Sequence, residues 1–240
     1  MTSAELRGIL TACLTEEMLH RGGQILYSGI DTLKQTESGY YFLGFNPAED
    51  GTNPILFDLL QDDLQLGRTN WSAYTCQCWM CKGGCDPQIC PKTGDAKHQK
   101  NVKHIMSQLG LKPKETFATN LVFVQSDDIP TLKKEPFFRD NVDACWQVHK
   151  KMLAEIRPKY IVCLGNGEND SAYSLVRKMA YDVKNEKHSD KKVGRCRAFK
   201  KFGGEFHCDE REPLEAIIVG VLHPSRWQCP SGLVRFIESK

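Results

Sequence analysis

Apolar residues recur along this chain with two different spacings. Short, mostly apolar runs at about residues 40–45, 116–124, 159–164 and 216–222 have the length and composition of buried strands. Between these runs, apolar residues recur every three or four positions, as they do along one face of an amphipathic helix. Helices that alternate with strands in this way favour a parallel sheet covered on both faces. We therefore predict a three-layer α/β/α sandwich around a mostly parallel, four-stranded central sheet.

The helical spacing predicts four helices, and residues that cap helices mark several of their ends. Gly22-Gly23 suits the end of the first, and Asn53 suits the N-cap of the second. Gly110 suits the end of the third. We predict that the helices cover residues 3–21, begin at Asn53, and cover residues 98–109 and 141–156.

The composition is that of one globular domain. The chain has 240 residues, 40% hydrophobic and 26% charged, and can bury a substantial core. We expect residues 1–240 to form one domain and a monomer, with irregular insertions at 74–97 and 182–212. There is no apolar run of membrane-spanning length and no signal peptide. We therefore expect a cytoplasmic protein with no membrane partner, nucleoid-associated if it is bacterial.

Two predicted strands lead into loops that suit a binding site. The first strand is followed by Gly44-Phe45-Asn46-Pro47, and the last by His223-Pro224-Ser225-Arg226. In open α/β sheets, ligands bind at the carboxyl ends of the strands. Gly and Pro there fix sharp turns and let the backbone approach a ligand. Either loop alone is more often an ordinary turn, but the pair indicates a site.

The order of these motifs resembles that of the uracil-DNA glycosylase superfamily. In that family one strand runs into G-x-N-P and a late strand runs into H-P-S, as at Asn46 and His223 here. Residues 119–123 are similar to the central strand whose Asn holds a flipped base. Residues 155–165 are similar to the helix, Arg-Pro turn and strand before the last motif. The resemblance covers about residues 40–226 and is nearest to the single-strand-selective and mismatch-specific branches.

The resemblance implies a monofunctional DNA glycosylase. It would hydrolyse the N-glycosidic bond of a flipped uracil or modified pyrimidine, in repair or in defence against modified foreign DNA. Asn46 would hold the attacking water, and His223 would donate a hydrogen bond to the base as negative charge develops there. Asn120 would meet the Watson–Crick edge of the extruded base, although an Asn tied to neighbouring backbone is the alternative. No nucleotide cofactor or divalent cation is expected in the chemistry.

Two departures from the family pattern keep other interpretations open. Ala48 stands where the family has Gly, so the alternative is a catalytically silent module of the same fold that binds nucleic acid or a nucleotide. The aromatic residue that stacks on the base is predicted to be Phe45, with Phe57 and Trp71 as further candidates. The continuation Ser225-Arg226-Trp227 differs from the family's more usual H-P-S-P or H-P-S-x-R-N, which leaves the wedge residue undefined.

Residues predicted to contact DNA fall in two segments. Ser225 and Arg226 follow His-Pro, where a Ser commonly contacts phosphate and an Arg can fill the gap in the base stack. The net charge of +2 does not itself indicate nucleic acid, but eight Lys or Arg lie between residues 184 and 201. Such a stretch can neutralise phosphates, and a solvated loop is the alternative. The lysines assigned to DNA, single- or double-stranded, are Lys191, Lys192, Lys200 and Lys201.

Five cysteines fall within the fifteen residues from 76 to 90. Cys78 and Cys81 form a C-x2-C pair, and Cys85 and Cys90 complete a tetrahedral set of ligands. Zinc is the first choice, since the spacing lacks the regular repeats of ferredoxin-type iron–sulfur proteins. Cys76 or His98 could replace one ligand, and a loop of reduced thiols is the alternative. On this loop alone, a zinc-stapled protein–protein adaptor would be a third hypothesis.

Overall fold

The computed structural model describes residues 1–34, 39–48, 53–81 and 85–239. Within these ranges the helices are α1 (Ser3–Cys13), α2 (Glu16–Leu19), α3 (Leu56–Gln61), α4 (Asp63–Leu66), α5 (Ala73–Cys76), α6 (Lys97–Gln108), α7 (Ile129–Lys134), α8 (Phe138–Ile156), α9 (Ala172–Met179) and α10 (Leu233–Glu238), with a 3-10 turn at Ile30–Thr32. The strands are β1 (Tyr40–Gly44), β2 (Phe117–Asn120), β3 (Tyr160–Leu164), β4 (Asp182–His188), β5 (Lys192–Val193), β6 (Cys196–Arg197), β7 (Phe199–Phe206) and β8 (Leu214–Val221). None of these helices combines the length and the apolar composition needed to cross a bilayer.

Six of the strands form one sheet, in the order β2-β1-β3-β8-β7-β4. Strands β2, β1, β3 and β8 are parallel, whereas β7 is antiparallel to both β8 and β4. The prediction of a mostly parallel sheet is confirmed, but four strands was too few. The additional strands come from 182–212, which was predicted to be an irregular insertion. These strands are rich in charged residues and so lack the apolar runs from which strands were predicted. A sheet edge such as β4 tolerates Lys and Glu on both faces.

Helices cover both faces of this sheet. Along β1, Tyr41 and Leu43 belong to one buried cluster and Phe42 to another, as the alternation of side chains in a strand requires. The first cluster includes residues of α1, α3, α8 and α9, and the second includes residues of α5, α6 and α10. The two sides of the sheet are therefore distinct surfaces, and any side chain beyond a strand end faces one or the other.

The helix predicted over residues 3–21 is interrupted. α1 ends at Cys13, and Leu14 adopts an extended conformation. The side chain of Thr15 then accepts a hydrogen bond from the N–H of Met18 and caps α2. A threonine followed by two glutamates is an N-cap signal that the apolar spacing concealed.

His149 on α8 is fully buried and links the two strands that lead to the predicted site. Its Nδ1 lies 2.8 Å from the Tyr41 hydroxyl, and its Nε2 lies 3.0 Å from the carbonyl oxygen of Leu121. A carbonyl oxygen only accepts, so Nε2 carries the proton and Nδ1 accepts from the tyrosine. Burial lowers the pKa of His149 to about 4. The imidazole is therefore neutral and ties α8 to β1 and to the end of β2.

This buried histidine predicts acid instability. The unfolded chain binds a proton at His149 below about pH 6.5, whereas the folded chain binds it only near pH 4. The free energy of unfolding should fall as the pH drops through that interval, by up to about 1.4 kcal/mol per unit. Urea denaturation at a series of pH values measures this slope. His149→Gln keeps a donor and an acceptor but does not titrate, so an identical slope in that variant would contradict the assignment.

Candidate functional site

The carboxyl ends of the parallel strands meet at one edge of the sheet, and the predicted site loops begin there. Asn120 at the end of β2 pairs in register with Gly44 at the end of β1. β3 lies between β1 and β8, and His223 follows β8 by two residues. Neighbouring strands lie about 4.8 Å apart, so the loops after β1 and β8 are separated by about 10 Å. Residues at the ends of β1, β2 and β8 therefore face a common space.

The side chain of Asn120 occupies a slot that only glycine at position 44 leaves open. A Cβ on Gly44 would collide with Oδ1 of Asn120. Asn120 is only 6% exposed, yet among the described residues none hydrogen-bonds its side-chain amide. Its amide atoms are not among the fully buried polar atoms that lack a partner, so water or a ligand can reach them. Such a group is placed to bind a ligand that supplies the missing hydrogen bonds.

Asn46 is held in place through its amide nitrogen. Nδ2 donates to the carbonyl oxygens of Pro47 at 2.7 Å and Ser126 at 3.3 Å. These two bonds use the donor side of the amide and leave Oδ1 as an acceptor. An acceptor oxygen at this edge can orient a water molecule by accepting a hydrogen bond from it.

His223 is positioned to donate a hydrogen bond from Nε2. The backbone N–H of Ser225 lies 3.3 Å from Nδ1 of His223 and can only donate, so Nδ1 is the acceptor. Burial, assisted by the charge of Arg226, lowers the pKa of His223 to about 4. At neutral pH the ring is therefore uncharged and carries its proton on Nε2.

Phe45 faces away from this space. It is 4% exposed and belongs to the cluster beneath α8, whereas Asn120 lies on the side of its neighbour Ala118, which packs toward α6. Phe45 instead lines a separate cavity of about 520 Å³ beside α7, α8 and α9. Of the other candidates for the stacking aromatic, Phe57 is exposed on α3 and Trp71 packs near α5 and α6. The prediction that Phe45 stacks on a base conflicts with its position.

His98, which the sequence patterns did not identify as a site residue, lies beside His223 and contacts two further aromatic side chains. The ring of His98 meets that of His223 edge to face, with centroids 5.6 Å apart. His98 also stacks on Tyr74 at 6.4 Å and meets Trp79 at 5.7 Å. The sequence indicated His98 only as an alternative metal ligand. Its contact with His223 depends on how α6 packs against the loop after β8.

Helix α6 holds the loop that follows His223. Asn101 Nδ2 donates to the carbonyl oxygens of Pro224 at 2.6 Å and Trp227 at 3.2 Å. Lys97 Nζ donates to the carbonyl oxygen of Arg226 at 3.1 Å. The loop conformation is therefore set by side chains of one helix face, while the side chain of Arg226 remains exposed.

The cysteine-rich segment brings four thiols together. The Sγ atoms of Cys78, Cys81, Cys85 and Cys90 all lie within 4.8 Å of one another and could hold a metal ion. Cys90 Sγ is 3.5 Å from Cys78 Sγ and 3.9 Å from Cys81 Sγ. Burial, the largest influence, raises the pKa of Cys78, but the N–H of Met80 and the other three thiols together lower it to about 7. A thiolate, the form that binds metals, is thus accessible near neutral pH.

The two suggested replacement ligands are outside this cluster. The hydroxyl of Thr75 lies 3.5 Å from the Cys76 thiol, and His98 Nδ1 lies 2.8 Å from Ser225 Oγ. Across the residues that the structure describes, the four cysteines are the one group of ligand side chains that could hold a metal ion.

The four lysines assigned to DNA separate into two pairs. Lys191 and Lys192 are exposed at the β5–β6 hairpin, whose Gly194 lies against Trp227 of the last loop. Lys200 and Lys201 are each only 7% exposed in β7. The first pair borders the site edge, whereas the second pair lies within the folded sheet.

Lys201 contradicts its assignment to DNA most clearly. Its ammonium donates to the carbonyl oxygens of Phe236, Ile237 and Ser239 at the end of α10. Phe236 and Ile237 lie in the last turn of α10 and Ser239 is its C-cap, so these carbonyls have no partner within the helix. Lys200 Nζ lies 3.6 Å from a carboxylate oxygen of Glu168. A count of Lys and Arg along the sequence does not distinguish buried lysines from exposed ones. Lys200 and Lys201 are buried because they lie in β7, a strand that was not predicted.

Comparison with known proteins identifies no family. No protein-family model matches the chain, and no curated protein matches it. The resemblance to the uracil-DNA glycosylase superfamily therefore stays a prediction from the order of the sequence motifs.

Metal content tests the cysteine cluster. Cys78→Ser or Cys81→Ser should lower bound metal from near one equivalent per chain to a small fraction, because a tetrahedral site loses a thiolate ligand. Elemental analysis of protein purified without added metal measures this. Cys196→Ser, which changes an exposed cysteine outside the cluster, should retain the metal. Wild-type protein without stoichiometric metal would show that the thiols are simply reduced.

Proposed function

We propose that this chain is a monofunctional DNA glycosylase that removes a flipped uracil or modified pyrimidine from DNA. The observation that carries the proposal is the amide of Asn120, which lies at the end of β2 in a residue only 6% exposed and bonds to none of the described residues. A base extruded into the space between β2 and β8 would supply hydrogen bonds to that amide through its Watson–Crick edge. An Asn amide offers both a donor and an acceptor, so this residue suits either uracil or a cytosine derivative.

Asn46 and His223 have the roles that the reaction requires. As the C1′–N bond breaks, its electron pair moves to the base, and water adds to C1′ and loses a proton, which passes through solvent to neutralise the base anion. Oδ1 of Asn46 would accept a hydrogen bond from that water, while Nε2–H of His223 would donate to the O2 oxygen of the departing base. An amide is a weak base, so stabilisation of the leaving group would provide most of the effect.

We further propose that the four cysteines bind zinc as a structural ion. Sulfur atoms that are each about 2.3 Å from a tetrahedral zinc ion lie about 3.8 Å apart. The distances of 3.5 and 3.9 Å between the cysteine sulfurs are close to that value. A cluster of several irons separates its thiolates further, because they bind different irons. Four protein ligands would leave no open position, so the ion would take no part in the reaction.

Base release tests the proposed activity. Oligonucleotides that contain uracil, a thymine mismatch or modified cytosines, single- and double-stranded, are incubated with the protein and cleaved with alkali at abasic sites. Asn46→Ala and His223→Ala should each slow single-turnover release by about 10²–10³-fold, as expected for one lost transition-state contact.

His20→Ala, which changes an exposed histidine beside α2, serves as the control and should keep full activity. Full activity in either site variant would remove that residue from the mechanism. If the wild-type protein binds these oligonucleotides but releases no base, the silent binding module becomes the better account.

The exposed hairpin predicts the salt dependence of DNA binding. Lys191→Gln with Lys192→Gln should weaken binding to all sequences, because each lost phosphate contact lowers the log–log salt slope by about 0.7–0.9. Lys112→Gln with Lys114→Gln makes the same charge change before β2, at the opposite edge of the sheet, and should leave the slope unchanged. Titrations at several salt concentrations measure the slope. Equal slopes in both double variants would exclude the hairpin from the DNA interface.

A further inference from the structure

We propose that His98 is a positioning residue that determines which ring nitrogen of His223 carries the proton. The inference rests on the proposed function only for the role of His223 toward the base. The connection between the two histidines runs through Ser225, which contacts both.

Ser225 joins the two rings with different atoms. Its backbone N–H lies 3.3 Å from Nδ1 of His223, and its Oγ lies 2.8 Å from Nδ1 of His98. The hydroxyl both donates and accepts, so the second contact is a hydrogen bond in either tautomer of His98. Within the described ranges, His98 is the residue that anchors the Ser225 side chain. The other α6 contacts hold the carbonyl groups of neighbouring residues.

The position of the Ser225 N–H determines whether Nε2 of His223 can donate a hydrogen bond. While this N–H donates to Nδ1, the proton of the neutral ring must be on Nε2, and Nε2 can donate to a base oxygen. If Ser225 moved away, Nδ1 could take the proton. Nε2 would then be an acceptor and would repel the oxygen of the base that it should stabilise.

His98 is itself held rigidly. Its ring is nearly parallel to that of Tyr74, at 9°, and meets the ring of Trp79 at 64°. Trp79 Nε1 in turn donates to the Gln77 side chain at 2.8 Å. Trp79 lies between the metal-ligand candidates Cys78 and Cys81 in sequence, so the cysteine cluster supports the wall against which His98 packs. This arrangement suits a residue whose role is to keep Ser225 in place.

Two substitutions of His98 distinguish the effect of its hydrogen bond to Ser225 from the effect of its ring packing. His98→Phe keeps an aromatic ring between Tyr74 and Trp79 but cannot bond to Ser225. His98→Asn loses the ring but has an amide group where Nδ1 of the histidine stood, so it can keep the bond. His104→Phe makes the same exchange on α6 at a histidine that contacts Gln108, and it controls for effects on the helix.

The ¹⁵N chemical shifts of the His223 ring at neutral pH report its tautomer directly. Wild type, His98→Asn and His104→Phe should show the Nε2–H form, and His98→Phe should show a mixture with Nδ1–H. Single-turnover base release in His98→Phe should fall by roughly tenfold at saturating DNA, the size of one hydrogen bond's contribution. Melting curves confirm that each variant is folded.

An unchanged Nε2–H signature in folded His98→Phe would overturn the inference, whatever the enzyme does to DNA. Conversely, failure of wild-type protein to release any base would refute the proposed function and leave the tautomer measurement valid. The two claims can therefore fail separately.

Discussion

The site depends on the close approach of β1 and β2 where both strands end. There the amide of Asn120 occupies the space that a side chain at position 44 would fill. Beyond this point the two chains continue side by side, with Leu121 N–H donating to the Gly44 carbonyl at 3.0 Å and Ser126 N–H donating to the Pro47 carbonyl at 3.1 Å. The paired backbones on both sides of the amide hold Asn120 in place at a position where a ligand can reach its amide.

The opposite wall of the site is built from side chains rather than from paired backbone. The loop after β8 is held by α6 through Lys97, His98 and Asn101. The cysteine cluster adds Trp79 to the same wall. The cysteine-rich segment is thus part of the packed structure, since its Trp79 packs against α6, the helix that orients the loop after β8. A metal ion there would act on the site only through this packing.

Sequence reasoning was effective where the signal was local. Apolar runs predicted the four parallel strands, and loops rich in Gly and Pro predicted which strand ends carry Asn46 and His223. The spacing of cysteines likewise predicted four thiols that the structure brings within reach of one ion. Sequence reasoning failed where tertiary packing determines the burial or orientation of a side chain. β7 reads as a charged loop, yet the sheet buries Lys200 and Lys201. The alternation along β1 turns Phe45 toward α8, and His98 reaches His223 only because two distant elements pack together.

A structure of the protein bound to DNA tests the central claim most directly. The target nucleotide should carry fluorine at the 2′ carbon of its deoxyribose, since this electron-withdrawing atom destabilises the oxocarbenium-like state at C1′ and preserves the glycosidic bond. The account predicts an extruded base whose Watson–Crick edge lies within hydrogen-bond distance of the Asn120 amide, with its O2 facing Nε2 of His223. A base that remains stacked in the DNA, or that binds elsewhere and leaves the Asn120 amide without a partner, would contradict it.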